Sequence, residues 1–232
     1  MSLISSLKGW AGEVQGVLVK KLFLDGKVYR DFNNVTIETS NGTTQIDHVI
    51  VSKFGIFVIE TKNIKGWIFG GEKQTSWTQS LYGKKYKFQN PLLQNYRHTK
   101  ALAEFLGINQ NKIHSLVMFW SECTFKTPMP ENVLNTGYTG YIKSKTDVLF
   151  TDEEVETICE TISTGRLPKG WGTKAEHLRS LKERHASTTI CPKCGGQLLL
   201  RTAHKGKNAG SQFYGCSNYP RCRYTADVED HS

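Results

Sequence analysis

The sequence predicts an α/β domain followed by a small module built around four cysteines. Three observations carry that expectation. Between Gln45 and Asn63, two short runs rich in Val, Ile and Phe flank Lys53-Phe54-Gly55, the pattern of a buried hairpin. Downstream lie two amphipathic stretches with helix-start signals, at Asn90-Pro91 and at Thr151–Glu154. Finally, Cys191, Cys194, Cys216 and Cys222 follow the spacing C-x2-C-x21-C-x5-C.

With 232 residues the chain has room for one ordinary domain and a small module. Hydrophobic content of 38% and aromatic content of 11% suffice for a packed core. The first ten residues hold one Lys and no long apolar run, and no stretch approaches the roughly 18 apolar residues of a membrane span. A soluble, cytoplasmic protein is expected. The net charge of +9 is uneven. From Ser163 onward there are 12 Lys and Arg against 5 Asp and Glu, while the first 162 residues carry 18 against 16. The basic surplus belongs to the tail and points to a polyanionic partner there, although surplus Lys also serves solubility.

In chain order, Leu3, Leu7, Trp10, Val14, Val17 and Leu18 fall at helical spacing within Leu3–Leu24, with Glu13 on the same stretch. Lys27–Thr39 predicts a strand, turned at Asn41-Gly42 into the hairpin strands Ile46–Ser52 and Ile56–Lys62. Further short strands are expected across Ile64–Phe88. There Lys84, Lys85 and Lys87 surround Tyr86, a phosphate-contacting edge or simply a charged edge that resists aggregation. A helix from Asn90-Pro91 to Leu106 stops at Gly107 and carries Gln94, Asn95 and His98 on its first turns. His114–Trp120 predicts a buried strand and Asn132–Ile142 another short strand region. A capping box opens a helix at about Asp152. The domains are expected at 1–163 and 190–232, joined by a basic helical linker over 164–189.

If Lys53-Phe54 is a two-residue loop, Ser52 pairs with Gly55 and Asp47 falls opposite Glu60. Asp47, Glu60 and Lys62 then share one face. Two carboxylates can hold a hard cation such as Mg²⁺, which activates water and neutralises charge on phosphate. A neighbouring lysine can position that water or stabilise developing negative charge. By spacing alone, a strand-end salt bridge accounts for the same residues.

Several motifs together resemble the nuclease-related domain (NERD) family over about Trp10–Leu106. They are Gly12-Glu13, QIDHVIVS at Gln45–Ser52, GIFVIETKN at Gly55–Asn63, Lys65-Gly66 and NPLLQN at Asn90–Asn95. The resemblance implies a restriction-endonuclease-like fold of the PD-(D/E)xK type, a mixed sheet flanked by helices, with a Mg²⁺- or Mn²⁺-dependent nuclease site. Carried over by position, Asp47 and Glu60 are metal ligands, Lys62 the catalytic lysine, Glu13 an accessory acid and Gln94 a supporting residue. One departure stands out. The family often reads GExGE where this chain has GEVQG followed by Val17, so the second acid is missing or shifted.

In a chain without a secretory signal, the four-cysteine pattern favours zinc over disulfides. Four thiolates close a tetrahedral site, so the metal is structural and a module this small depends on it to fold. Cys123 and Cys159 stand apart as buried apolar thiols. Cys191–Thr225 resembles the zinc ribbons at the C-terminus of bacterial type IA topoisomerases, over the accessory DNA-binding ribbon alone. Lys193, Arg201, Lys205, Lys207, Arg221 and Arg223 are unopposed by any acid between Ile190 and Ala226. Phe213, Tyr214, Tyr219 and Tyr224 are interleaved with them, which suits stacking on single-stranded DNA; Phe213 and Tyr214 equally suit the ribbon's own small core. The expectation is a bacterial DNA nuclease delivered by its ribbon. The rivals are a non-cutting DNA-binding adaptor with the same fold and an RNA-directed module.

Overall fold

A computed structural model describes residues 24–39, 42–168, 189–191, 194–205, 208–220 and 222–228. The expected N-terminal helix and the basic linker helix fall outside the described residues, apart from their last or first few positions. Strands β1 (Arg30–Thr39), β2 (Gly42–Ser52) and β3 (Gly55–Lys62) form an antiparallel meander. β1 starts later than the sequence predicts, because Asp25 ties Lys27, Val28 and Tyr29 into a turn through its side chain and carbonyl. The β2–β3 turn is the two-residue loop: Ser52 pairs with Gly55, which sits at φ +124°. A Cβ there would come 2.7 Å from His114 Nε2, so only glycine fits.

After β3 the chain builds β4 (Gly66–Phe69), β5 (Ser76–Leu81) and β6 (Lys84–Gln89), then helix α1 (Pro91–Leu106). It continues through β7 (Ile113–Phe119), β8 (Cys123–Phe125), β9 (Val133–Leu134) and helices α2 (Tyr138–Lys143) and α3 (Asp152–Gly165). The principal sheet has the order β1-β2-β3-β7-β9, with β3, β7 and β9 parallel. A second sheet, β6-β5-β4-β8, receives both parallel partners of the first, since β3 runs on into β4 and β7 into β8.

Both faces of the principal sheet are covered. Val35, Ile37, Ile46, Val49, Val51, Ile56 and Val58 pack against Leu102 of α1 and Val155, Ile158 and Ile162 of α3. On the opposite face Ile50, Phe57, Ile59 and Leu116 meet Leu24 and Ile142 of α2. Between the sheets, Ile68 and Trp77 pack on Val117, Phe119 and Val133. The short strand expected over Asn132–Ile142 is a strand only at Val133–Leu134. Gly137 then turns at φ +72° and opens α2, whose Tyr138 and Ile142, four apart, dip into the core. The ribbon comprises β10 (Leu198–Thr202), β11 (Gln212–Cys216) and β12 (Thr225–Asp227). No described helix is long and apolar enough to cross a membrane.

Candidate functional site

Alternation along β3 sends Ile56 and Val58 to the face beneath α1, and the same parity takes Glu60 and Lys62 there. On β2, Val49 and Val51 share that face, and so do Ile46 and Thr44, so the alternation breaks between Ile46 and Val49, and Asp47 sits at the break. The hairpin register runs from Ser52–Gly55 to His48–Ile59 and ends there, and Asp47, the next residue of β2, lies near enough to Glu60 for the two charges to act on each other. Thr61 seals the junction: its N–H and its hydroxyl both donate to Asp47 Oδ2, at 2.9 and 2.6 Å.

Glu60 is buried, at 3% exposure. Its Oε1 accepts from Lys62 Nζ at 2.6 Å, and its Oε2 lies 3.3 Å from His98 Nε2. Lys62 Nζ also donates to Gln94 Oε1 at 2.9 Å. Gln94 and His98 stand one turn apart on α1 and therefore reach the same spot. His98 Nδ1 is 2.9 Å from Thr44 Oγ1 of β2, whereas its buried Nε2 makes no well-aligned hydrogen bond, Glu60 included. Asn95 Nδ2, on the same helix, reaches the backbone oxygens of Val58 and Leu116 and holds α1 down on β3 and β7. Thr44 and Thr61 were not singled out by sequence reasoning. For Thr61 the signal was its place between Glu60 and Lys62; for Thr44 there was none.

Burial raises the Asp47 carboxyl above its ordinary pKa, and the Glu60 charge adds to the rise. Burial pushes Glu60 the same way, but His98 and Lys62 outweigh it and leave that carboxyl below its usual value. One carboxylate thus crowds another in a part-buried place, a charge pattern that a hard divalent cation relieves through oxygen ligands. In chemistry the donor set fits such a cation. Among the described residues, however, the one group of three or more His, Cys, Asp or Glu converging within 4.8 Å is the cysteine set. Glu13, the expected accessory acid, lies outside the described residues.

In the ribbon the four Sγ atoms lie within 4.8 Å of one another, with Cys194–Cys216 at 3.3 Å and Cys191–Cys222 at 3.7 Å. A tetrahedral zinc at Zn–S of about 2.3 Å needs S···S separations of about 3.8 Å, so the set fits one closed, structural zinc. Asn218 donates from its N–H to Cys216 Sγ and from Nδ2 to Cys194 Sγ, both at 3.4 Å. Such outer donors suit thiolate ligands. Of the two remaining cysteines, Cys159 is buried and Cys123 half-buried.

Pairing of Leu198 with Cys216 and of Arg201 with Phe213 divides the ribbon's faces. Leu198 and Tyr214 pack on the cysteines, while Arg201 and Phe213 lie on the other side. A cavity of about 310 Å³ runs from that side to the cysteines, lined by Arg201, Phe213, Tyr219, Arg223 and Tyr224 together with Cys216 and Cys222. The Arg223 guanidinium stands 5.9 Å from the Tyr219 ring centre, and Tyr219 is 60% exposed. Lys205 is exposed. Lys193, Lys207 and Arg221 fall outside the described residues.

The profile of the family described as "Nuclease-related domain" matches residues 8–120. An uncharacterized protein of Bacillus anthracis is 42% identical over 161 residues, covering 66% of this chain and 76% of that protein. The chain belongs to the nuclease-related domain family. Behind the nuclease-related domain, a second profile, "Topoisomerase DNA binding C4 zinc finger", matches residues 188–231. DNA topoisomerase 1 of Methanocaldococcus jannaschii is 51% identical over 39 residues, 17% of this chain and 4% of that enzyme. DNA topoisomerase 1 of Helicobacter pylori, strain 26695, is 37% identical over 54 residues, 23% of this chain and 7% of the enzyme. The chain spans only those small shares of the topoisomerases, all within the tail. No solved structure matched.

The ribbon is seated on helix α1 of the nuclease-related domain. Tyr96 packs against the cysteine cluster, Gly195 lies beside the Arg97 side chain, and a cavity of about 320 Å³ between the units is lined by Leu92, Leu93, Asn218 and Pro220.

Proposed function

We propose that the protein is a metal-dependent DNA nuclease that hydrolyses phosphodiester bonds, with the ribbon holding the DNA. The observation that carries this reading is the convergence of Asp47, Glu60 and Lys62 beneath α1 within a nuclease-related domain. Asp47 and Glu60 hold Mg²⁺ or Mn²⁺, which supplies Lewis-acid activation of water and neutralises phosphate charge. Lys62 orients the nucleophile or a phosphate oxygen, Gln94 steadies its ammonium, and His98 steadies Glu60. Arg201, Lys205, Phe213, Tyr219 and Arg223 contact DNA on the ribbon, with bases stacked on the aromatic rings. Tyr214 shares its place with the cysteine packing.

A second reading, a DNA-binding adaptor that does not cut, is favoured by one observation: both Glu60 oxygens already face cationic or donor groups, Lys62 and His98. Cleavage of labelled single-stranded, double-stranded and forked DNA with Mg²⁺, Mn²⁺ or EDTA decides between the two. The nuclease reading expects metal-dependent cutting that falls about 10²–10³-fold in Lys62→Ala and likewise in Asp47→Ala. Zinc-loaded, DNA-binding wild type that cuts none of them would establish the adaptor.

A further inference from the structure

The second sheet has an outward face that the proposed chemistry leaves unused. Its registers define two rows. Thr124, Trp67, Ser80 and Lys85 lie side by side across β8, β4, β5 and β6, and Phe69, Thr78 and Lys87 form the next row. The opposite parity buries Ile68 and Trp77 and carries Phe88 and Phe125 toward the principal sheet, so the first set faces solvent. Trp67 is 53% exposed, and Lys126, just past β8, places its ammonium 4.5 Å from the Trp67 ring centre. Lys85, Lys87 and Thr124 are exposed. The four strands contain no Asp or Glu; the neighbouring acids, Glu72 and Glu122, sit in loops at the strand ends.

An independent peculiarity lies at one end of this face. The β5–β6 hairpin turns through Tyr82-Gly83, and Tyr82 holds φ +49° while 95% exposed. A bulky aromatic in a left-handed turn position is strained, and Asn or Gly would serve the turn better. Here a ring is displayed fully to solvent at a conformational cost. Because Leu81 pairs with Lys84 and Trp67 with Ser80, this turn lies at the Gly66 end of β4. Gly66 follows Lys62 by four residues, and Gln79 Nε2 of β5 donates to Lys65 O at 2.7 Å within that link. Trp67 is thus at most about 18 Å of extended chain from Lys62.

We infer that the outward face of the second sheet is a platform for single-stranded DNA that leads the strand toward Glu60 and Lys62. Trp67 and Tyr82 offer π-faces for bases, Lys85, Lys87 and Lys126 pair with phosphates, and Thr78, Ser80 and Thr124 supply hydroxyls. An open sheet with aromatic residues on its solvent side and cations around them suits unpaired bases, which a duplex keeps inside its stack. The binding itself is independent of the nuclease reading; only the leading of the strand into the site rests on it.

The test uses the full zinc-loaded chain without added divalent metal. Binding of fluorescein-labelled oligo(dT) is followed by anisotropy across a salt series, and tryptophan fluorescence is followed in parallel. Trp67→Ala should weaken binding about tenfold. Lys85→Glu with Lys87→Glu should flatten the log–log salt dependence by about 1.4, since each phosphate contact on a single strand contributes about 0.7. The tryptophan quenching caused by oligo(dT) should shrink in Trp67→Phe, which keeps the sheet packed. Unchanged affinity, salt slope and quenching in folded, zinc-loaded variants would overturn the platform and leave the lysines as edge protection. Equal losses for a duplex of the same length would overturn the single-strand preference. Weaker binding by the variants of a chain that cuts nothing would uphold the platform while the nuclease reading fell.

Discussion

Glu60 is a carboxylate taken almost out of water, and such a group persists only where it is paired. Lys62 and His98 provide the pairing, and Asp47 beside them is the group left in tension. Its folded pKa is raised, so ionised Asp47 works against folding at neutral pH, and the penalty fades as pH falls through that pKa and the carboxyl takes a proton. Asp47→Asn, whose side-chain oxygen can still accept from Thr61, should therefore raise the melting midpoint of the metal-free chain at pH 7. The gain should vanish in acid. A thermal melt series between pH 3 and pH 8, on the order of one point per unit, checks the sign. Glu60 behaves oppositely. Its lowered pKa means its stabilisation is present above the ordinary carboxyl range and lost as pH falls through the folded value. The shared face of Glu60 and Lys62 was legible because strand alternation has a period of two, whereas Asp47 sits where the alternation of β2 breaks, which no local pattern announces. The Thr44–His98 and His98–Glu60 contacts were not legible, because they depend on how far α1 lies across the sheet, which no local pattern encodes.

Helix α1 is the element on which the arrangement turns. Asn90 caps it by accepting from Leu92 N–H, and Pro91 occupies the first turn. The same buried Asn90 donates Nδ2 toward the carbonyls of Gly71, Glu72 and Gln74, locking the β4–β5 loop to the helix start. Cap and stop were both visible in the sequence, since Asn-Pro and Gly107 are local signals. The loop clamp was not, because it joins residues some sixteen to nineteen positions apart. Asn90→Ala removes the cap and strands those carbonyls, which should cost about 2 kcal/mol. In a chain this size that lowers the melting midpoint by about 4–8 °C, read by calorimetry. The element that sequence reasoning misassigned was α2: two turns of helix with only Tyr138 and Ile142 facing inward are too short to show a helical period.

For the whole molecule, the ribbon and the nuclease-related domain meet through α1, with Tyr96 against the cysteine cluster, Gln94 on the Lys62 ammonium and His98 beside Glu60. Four buried thiols with little apolar core of their own are held together by the metal. Cys191→Ser should lower zinc content, measured by atomic absorption, together with DNA affinity. Unchanged zinc stoichiometry would sink the four-cysteine assignment. The tail's module was the most legible part of the chain, because metal-ligand spacing is a one-dimensional signal. Its seat on α1 was invisible, because Leu92, Leu93 and Tyr96 look like ordinary core positions of an amphipathic helix.

The link between the two sheets is short: Asn63, Ile64 and Lys65 alone separate β3 from β4, and Trp120, Ser121 and Glu122 alone separate β7 from β8. Two parallel crossings, side by side and without slack, act as a fixed gauge. On the proposed nuclease reading, a strand laid along the second sheet would be measured against Lys62 at a set offset, and product ends would fall at a constant distance from whichever base is gripped first.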